Sequence, residues 1–163
     1  MEDKNAQRFD EAAAVAAPEI ASALLGLPES IKADTQEIRI RTGRPVMLCG
    51  LYGVCFLEKS GRVAFTTYKS AMVATKEQVA ATLKKASGYS LYSHQESIAK
   101  GFITFGSGHR MGICGTAVGT DGRISNVRDA SSLNIRIARD HTGCSVRILD
   151  LLWNGGIKSL IIT

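Results

Sequence analysis

Five arginines fall where strands are expected, Arg39 and Arg41 in EIRIRTGRPV, Arg110 at the head of HRMGICGTAV, and Arg136 and Arg139 in LNIRIARD, while Arg123 and Arg128 flank the intervening turn. Arg39 and Arg41 alternate with Ile38 and Ile40, and Arg136 stands between Ile135 and Ile137. A strand sends neighbours to opposite sides, so each set projects away from its isoleucines. The planar guanidinium fork binds phosphate oxygens in pairs, and several forks on one sheet face would make an anion site. A solvated polar face uses the same spacing. Spacing alone leaves both readings standing.

The glycine-rich centre, FGSGHRMGICGTAVG, invites a second chemistry. Glycines let backbone N–H groups converge on a phosphate. Gly106, Gly108 and Gly112 miss the G-x-G-x-x-G spacing by one residue, and no G-K-[ST] occurs in the chain. Gly112-Ile113-Cys114-Gly115 spells the G-x-x-G of an RNA clamp, but such a clamp needs a solvated tip, and these two middle residues are apolar within a strand-like run. The glycines read instead as a twisted or bulged strand in which backbones pack closely.

Other chemistries find little support. Cys49, Cys55, Cys114 and Cys144 are scattered without a C-x-x-C pair, as buried thiols of a reducing compartment would be. His94, His109 and His141 share no metal-ligand spacing with them, so no metal site is expected. A net charge of +5 suits an anionic partner, yet aromatics at 6% are sparse for stacking single-stranded nucleic acid. No apolar run reaches the roughly 18 residues of a membrane helix. The start is acidic where an export signal would be basic.

The elements that must position the arginines follow from periodicity. Residues 6–26 are Ala/Leu-rich and helical, with Pro18 opening a second segment before GLPES breaks the pattern. Strands are expected at 38–41, 46–48, 54–57 and 63–67, with turns at Gly43-Arg44-Pro45 and EKSGR. Thr75 with Gln78, and Ser93 with Glu96, have the spacing of capping boxes for two helices stopped by Gly88 and Gly101. FITF, HRMGICGTAV and LNIRIARD return to strand, with a turn at 120–123. Residues 143–152 read as a helix, and 158–163 as an apolar buried strand. The expectation is an α+β fold: an antiparallel-rich sheet with a helical pair packed on it, preceded by an Ala-rich helical segment.

GHRMGICGTAV, ISNVRDASSLNIRIARDHTG and the closing KSLIIT resemble the stage III sporulation protein AA family of endospore-forming bacteria, itself similar to type II and type IV secretion ATPases. The resemblance runs from EIRIRTGRP to the end and is strongest over 101–163. It implies a helical segment over 1–34, an α+β N-terminal domain over 35–141, and over 142–163 the first helix and strand of a RecA-like motor cut before its Walker A loop. It implies ATP and Mg²⁺ as cofactors of the full-length protein, none bound to this piece, and no ATP hydrolysis by the piece alone. Arg110, Arg136 and Arg139 match the family's arginine-bearing strands, and so become the candidate contacts to nucleotide phosphates. The implied partners are a homo-hexamer and membrane proteins of the stage III sporulation channel complex, with no specific nucleic acid, on the cytoplasmic, mother-cell side of a membrane. Two alternatives remain: a nucleic-acid-binding module, and an assembly domain that docks on a membrane complex.

Overall fold

The computed structural model describes residues 4–51, 53–66, 69–120 and 122–139, and beyond these only 143, 145, 146, 148 and 149. Three helices lead in: α1 (Lys4–Ala13), α2 (Pro18–Leu25) and α3 (Glu29–Asp34). Pro18 is the first residue of α2, where its missing N–H would have had no helical partner anyway. The GLPES break is shorter than its composition implies. Pro28 sits at the N-cap of α3, and Lys32 of that helix reaches Asp10 of α1 at 2.8 Å.

From residue 35 the chain builds one antiparallel sheet, in line with the expected α+β class. Its strands are β1 (Thr35–Arg41), β2 (Met47–Gly50), β3 (Gly53–Leu57), β4 (Val63–Ala64), β5 (Phe102–Phe105), β6 (His109–Thr120) and β7 (Arg123–Arg136), in the order β4-β3-β2-β1-β7-β6-β5. β4 is shorter than the expected 63–67 run: Phe65 is exposed beyond its end, and residue 67 lies outside the described residues. Between β4 and β5 lie α4 (Lys76–Ala86), a 3₁₀ turn (Tyr92–His94) and α5 (Gln95–Ala99). The capping box at α4 forms as expected: the Gln78 N–H donates to Thr75 Oγ1 at 3.2 Å, and Gln78 Oε1 accepts from the Thr75 N–H at 3.0 Å. The second box does not form. The chain coils one turn early, placing Ser93 inside the 3₁₀ turn, where its hydroxyl meets Ser90 Oγ at 2.7 Å and Glu96 pairs with Lys100. Of the expected 143–152 helix, residues 146, 148 and 149 are helical; the expected 158–163 strand lies outside the described residues.

Helices and sheet share one core on one side of the sheet. Ile38, Ile40, Leu48, Leu57, Ile103, Met111, Leu133 and Ile135 from the strands cluster with Phe9, Ile20, Leu24, Val79 and Leu83 from the helices. Each large side chain buried this way contributes about 1.5–3 kcal/mol. The Lys76–Asp129 ion pair between α4 and β7 is exposed and screened by solvent, so it adds little. Apolar packing contributes most of what holds the helices to the sheet.

β6 and β7 run past their neighbours. β5 pairs with β6 only to Gly112, and β1 with β7 only back to Ser132, so the rest of this hairpin forms a two-stranded arm. Two bulges bend it. From the Thr120–Arg123 pair, six residues back along β6 reach Cys114, while nine forward along β7 reach its partner Ser132. The glycines sit opposite the extra residues. A Cβ on Gly115 would lie 2.6 Å from the Arg128 carbonyl oxygen and 3.0 Å from Ala130 Cα, and one on Gly119 would overlap the Arg123 carbonyl. The glycines of GICGTAVG therefore allow close backbone packing as expected, but the bulges themselves lie on the partner strand β7.

A polar clamp fixes where β6 begins. Glu11 of α1 accepts hydrogen bonds from the Ser107 N–H at 2.7 Å and the Ser107 hydroxyl at 2.8 Å. His109 is fully buried; its Nδ1 accepts from the Ala138 N–H at 3.0 Å, which puts the neutral ring's proton on Nε2, 3.3 Å from Glu11 Oε2. The next residue is Arg110. The clamp therefore ties α1, the β5–β6 turn and the end of β7 together one residue before a candidate site arginine.

Gly115→Ala should cost about 1–3 kcal/mol by forcing the bulge apart. Gly112→Ala should be neutral or stabilising by up to about 1 kcal/mol, since a Cβ there meets nothing nearer than 3.9 Å. Urea unfolding of both variants checks the pair, and equal midpoints would sink the bulge argument. The clamp predicts a pH dependence. Hydrogen bonding from the Ser107 side chain holds the Glu11 carboxyl below its ordinary 4.5. A lowered folded value means the stabilisation is complete above about 4.5 and is lost as pH falls through the folded value. Glu11→Gln, which does not titrate, should therefore show a shallower loss of stability on acidification below that point than the parent. Thermal melts across pH 3–7 measure it.

Candidate anion site on the open face of the sheet

The side of the sheet away from the core carries the arginines. Two adjacent rows of cross-strand partners define it. One runs Cys49, Glu37, Arg136, Arg110, Thr104 across β2, β1, β7, β6 and β5. The next runs Met47, Arg39, Asn134, Gly112, Phe102 over the same strands. The alternation of Ile38 and Ile40 with Arg39 and Arg41, and of Ile135 and Ile137 with Arg136, decides which residues reach this face. All four isoleucines are buried on the other side.

The arginines differ in how they are held. Glu37 Oε2 accepts from Arg39 Nη2 at 2.8 Å and from Arg39 Nε at 3.1 Å, and this bonding pushes the Arg39 pKa up. Arg41 Nη2 points at Met47 Sδ at 3.3 Å. The Arg110 guanidinium lies over the Phe102 ring, 3.7 Å from its centroid. Arg136 is exposed, and its side chain makes no hydrogen bond or ion pair with a described residue. Beside it on β1, Glu37 is already engaged by Arg39. Neighbouring Cys49 has its thiol pKa raised by burial, so it contributes no thiolate charge near neutrality.

Of the three candidate phosphate contacts, the fold brings two together. Arg110 and Arg136 are direct partners across the β6–β7 ladder. Like charges opposed in this way weaken a ladder, on the order of 1 kcal/mol or less. A pair of cations so placed is stabilised by an anion that bridges both. Arg139 lies elsewhere: past the end of β7, its Nη2 donates to the Thr35 carbonyl at 2.5 Å, and its buried Nε has no partner among the described residues. Arg123 and Arg128 are on the arm, outside the two rows. Among the described residues no three His, Cys, Asp or Glu side chains gather as a cation site would require, and no helix is long and apolar enough to cross a membrane.

Two members of this face escape sequence reasoning. Phe102 reads only as part of a strand, and nothing in the spacing of the arginines weighs Glu37 against Arg39. The first has a signal: counting outward from the Gly106–Gly108 turn pairs Phe105 with His109 and sets Phe102 diagonally from Arg110. Glu37 is two residues from Arg39, which in a strand means the same face.

Comparison with known proteins covers the same segments. The chain matches the family described as "Sporulation stage III, protein AA" over residues 10–163. It is 32% identical over 155 residues to "Stage III sporulation protein AA" of Bacillus subtilis (strain 168), an alignment covering 94% of this chain and 46% of that protein. The chain thus spans about half the length of the curated relative it matches. No solved structure matches it. The family match takes in α2 to β7, both arginine rows and the residues after them, and the chain belongs to the sporulation stage III, protein AA family.

Proposed function

We propose that this chain is the N-terminal region of a sporulation motor similar to secretion ATPases, and that its open sheet face contributes Arg110 and Arg136 to nucleotide phosphates in a hexamer of the full-length protein. One observation carries the reading: two arginines are opposed across one ladder, and the nearest carboxylate is committed to a third. Such a face favours an anion with several oxygens. It does not suit Mg²⁺, which needs oxygen ligands from carboxylates or phosphates, so the metal would be held by other parts of the protein. ATP, when bound, supplies the phosphoryl group to be transferred. No G-K-[ST] of a P-loop lies within the 163 residues, so this chain's part is to orient the phosphates and stabilise their charge. An arginine acting on a transferring phosphoryl group contributes roughly 10³–10⁵ in rate where it is the principal cation. Arg139 remains a third candidate, behind the two that the fold aligns. The motor would work on the cytoplasmic, mother-cell side, energising membrane proteins of the stage III channel complex.

A second reading has its own observation. Phe102, Met47 and Phe56 stand on the same face as the arginines, half-buried, and Val54 beside them is exposed. A mixed apolar and cationic face also suits an acidic protein surface. In that case the chain is an assembly module docking on a membrane complex.

In the full-length protein, Arg136→Ala should leave the fold intact and lower ATP turnover at least about tenfold, or about 1.4 kcal/mol of transition-state stabilisation. Arg136→Lys should recover part of the loss, because a point charge lacks the bidentate fork. Arg62→Ala, in the exposed β3–β4 turn, should change little. If Arg136→Ala turns over ATP as fast as the parent with assembly unchanged, the docking reading takes its place.

A further inference from the structure

We propose that Phe102 is a positioning residue for the anion site, holding Arg110 so that its hydrogen-bonding edge faces the gap beside Arg136; this role rests on the phosphate reading above. Arg110 has two neighbours on its own row, Thr104 on β5 and Arg136 on β7. Its guanidinium engages neither directly. It lies diagonally over Phe102, one row along on β5, at 3.7 Å from the ring centroid. Stacking of this kind uses the face of the guanidinium and leaves its N–H edge free for paired acceptors. It also draws the charge toward β5, away from Arg136 on β7. That eases the opposition of two cations that remain direct partners on one face, where an anion with several oxygens would be shared by both.

Gly112 lies beside this diagonal contact. It is the direct partner of Phe102 and follows Arg110 by two residues on the same face. A Cβ there would meet nothing nearer than Asn134 at 3.9 Å, so this position does not crowd the stacked pair. A flexible arginine that must order itself on binding loses rotamer freedom, and one already stacked loses less. The ring therefore acts through Arg110 rather than on the ligand.

The test is a mutant cycle in the full-length protein, read as ATP turnover at subsaturating and saturating ATP. Phe102→Leu keeps an apolar side chain and removes the π-face, and should lower kcat/KM about three- to tenfold. Phe102→Tyr keeps the face and should match the parent. The deciding comparison is Phe102→Leu in an Arg110→Ala background, where no further loss should appear, because the ring has nothing left to position. An equal loss in that background would make Phe102 merely structural and overturn the proposal. So would a Phe102→Leu variant as active as the parent while Arg110→Ala and Arg136→Ala are impaired, an outcome that leaves the phosphate reading in place. If both arginine variants are fully active, the phosphate reading itself falls, and this proposal falls with it.

Discussion

The register between β6 and β7 is the constraint on which the rest of the molecule depends. These two strands are the spine of the sheet: β7 carries β1 and through it β2 to β4, while β6 carries β5. Both faces of the sheet are decided by which residue of one strand opposes which of the other. Without the two bulges, counting back from the Thr120–Arg123 pair would set Leu133 opposite Arg110. A core leucine would then share a face with an arginine. The three extra residues of β7, an odd number, restore the alternation, so that Met111 meets Ile135 inside and Arg110 meets Arg136 outside. Gly115 and Gly119 admit those residues because a side chain at either would collide with the opposite backbone.

Given that register, the division of labour is simple. The inner face collects isoleucine, leucine and methionine from the strands and receives the helices. α4 is held by its capping box and by its Val79 and Leu83 stripe, while Thr82 is tied to α2 by accepting the Ala17 N–H at 2.9 Å. The outer face keeps polar and cationic groups, and only part of that charge is neutralised internally. Packing fixes the scaffold, and charge is left over on the side that packing does not use.

Much of this is legible in the sequence. The period-2 runs around Ile38 and Ile135 mark the strands and their buried sides, and Thr75 with Gln78 marks the start of α4. The glycines of GICGTAVG signal close backbone packing at a bulge, and the bulges lie opposite them on β7. What the residues do not announce is the count. Ser125 and the 129–131 stretch look like loop or plain strand, and Asp129 takes a left-handed backbone, φ 48°, that no periodicity reveals. For that reason the pairing of Arg110 with Arg136 is one possibility among several arginines until the bulges fix it. The failed capping box at Ser93 has a related cause. Tyr89, at φ 63°, follows Gly88 in the left-handed region and turns the chain early, so that the hydroxyl finds Ser90 rather than a helix end. Arg139 is a candidate through the family resemblance alone: three residues from Arg136, strand alternation would not put it on the same face, and β7 in any case ends before it.

The end of β7 also has a mechanical character. Three bonds fasten its exit: the Ile137 N–H to the Gln36 carbonyl at 2.9 Å, the Ala138 N–H to His109 at 3.0 Å, and Arg139 to the Thr35 carbonyl. They pull toward β1 on one side and toward β6 on the other, so the chain leaves the sheet as a rope leaves a cleat. A tug on whatever follows residue 139 is shared across both strands at once and loads their ladders in shear.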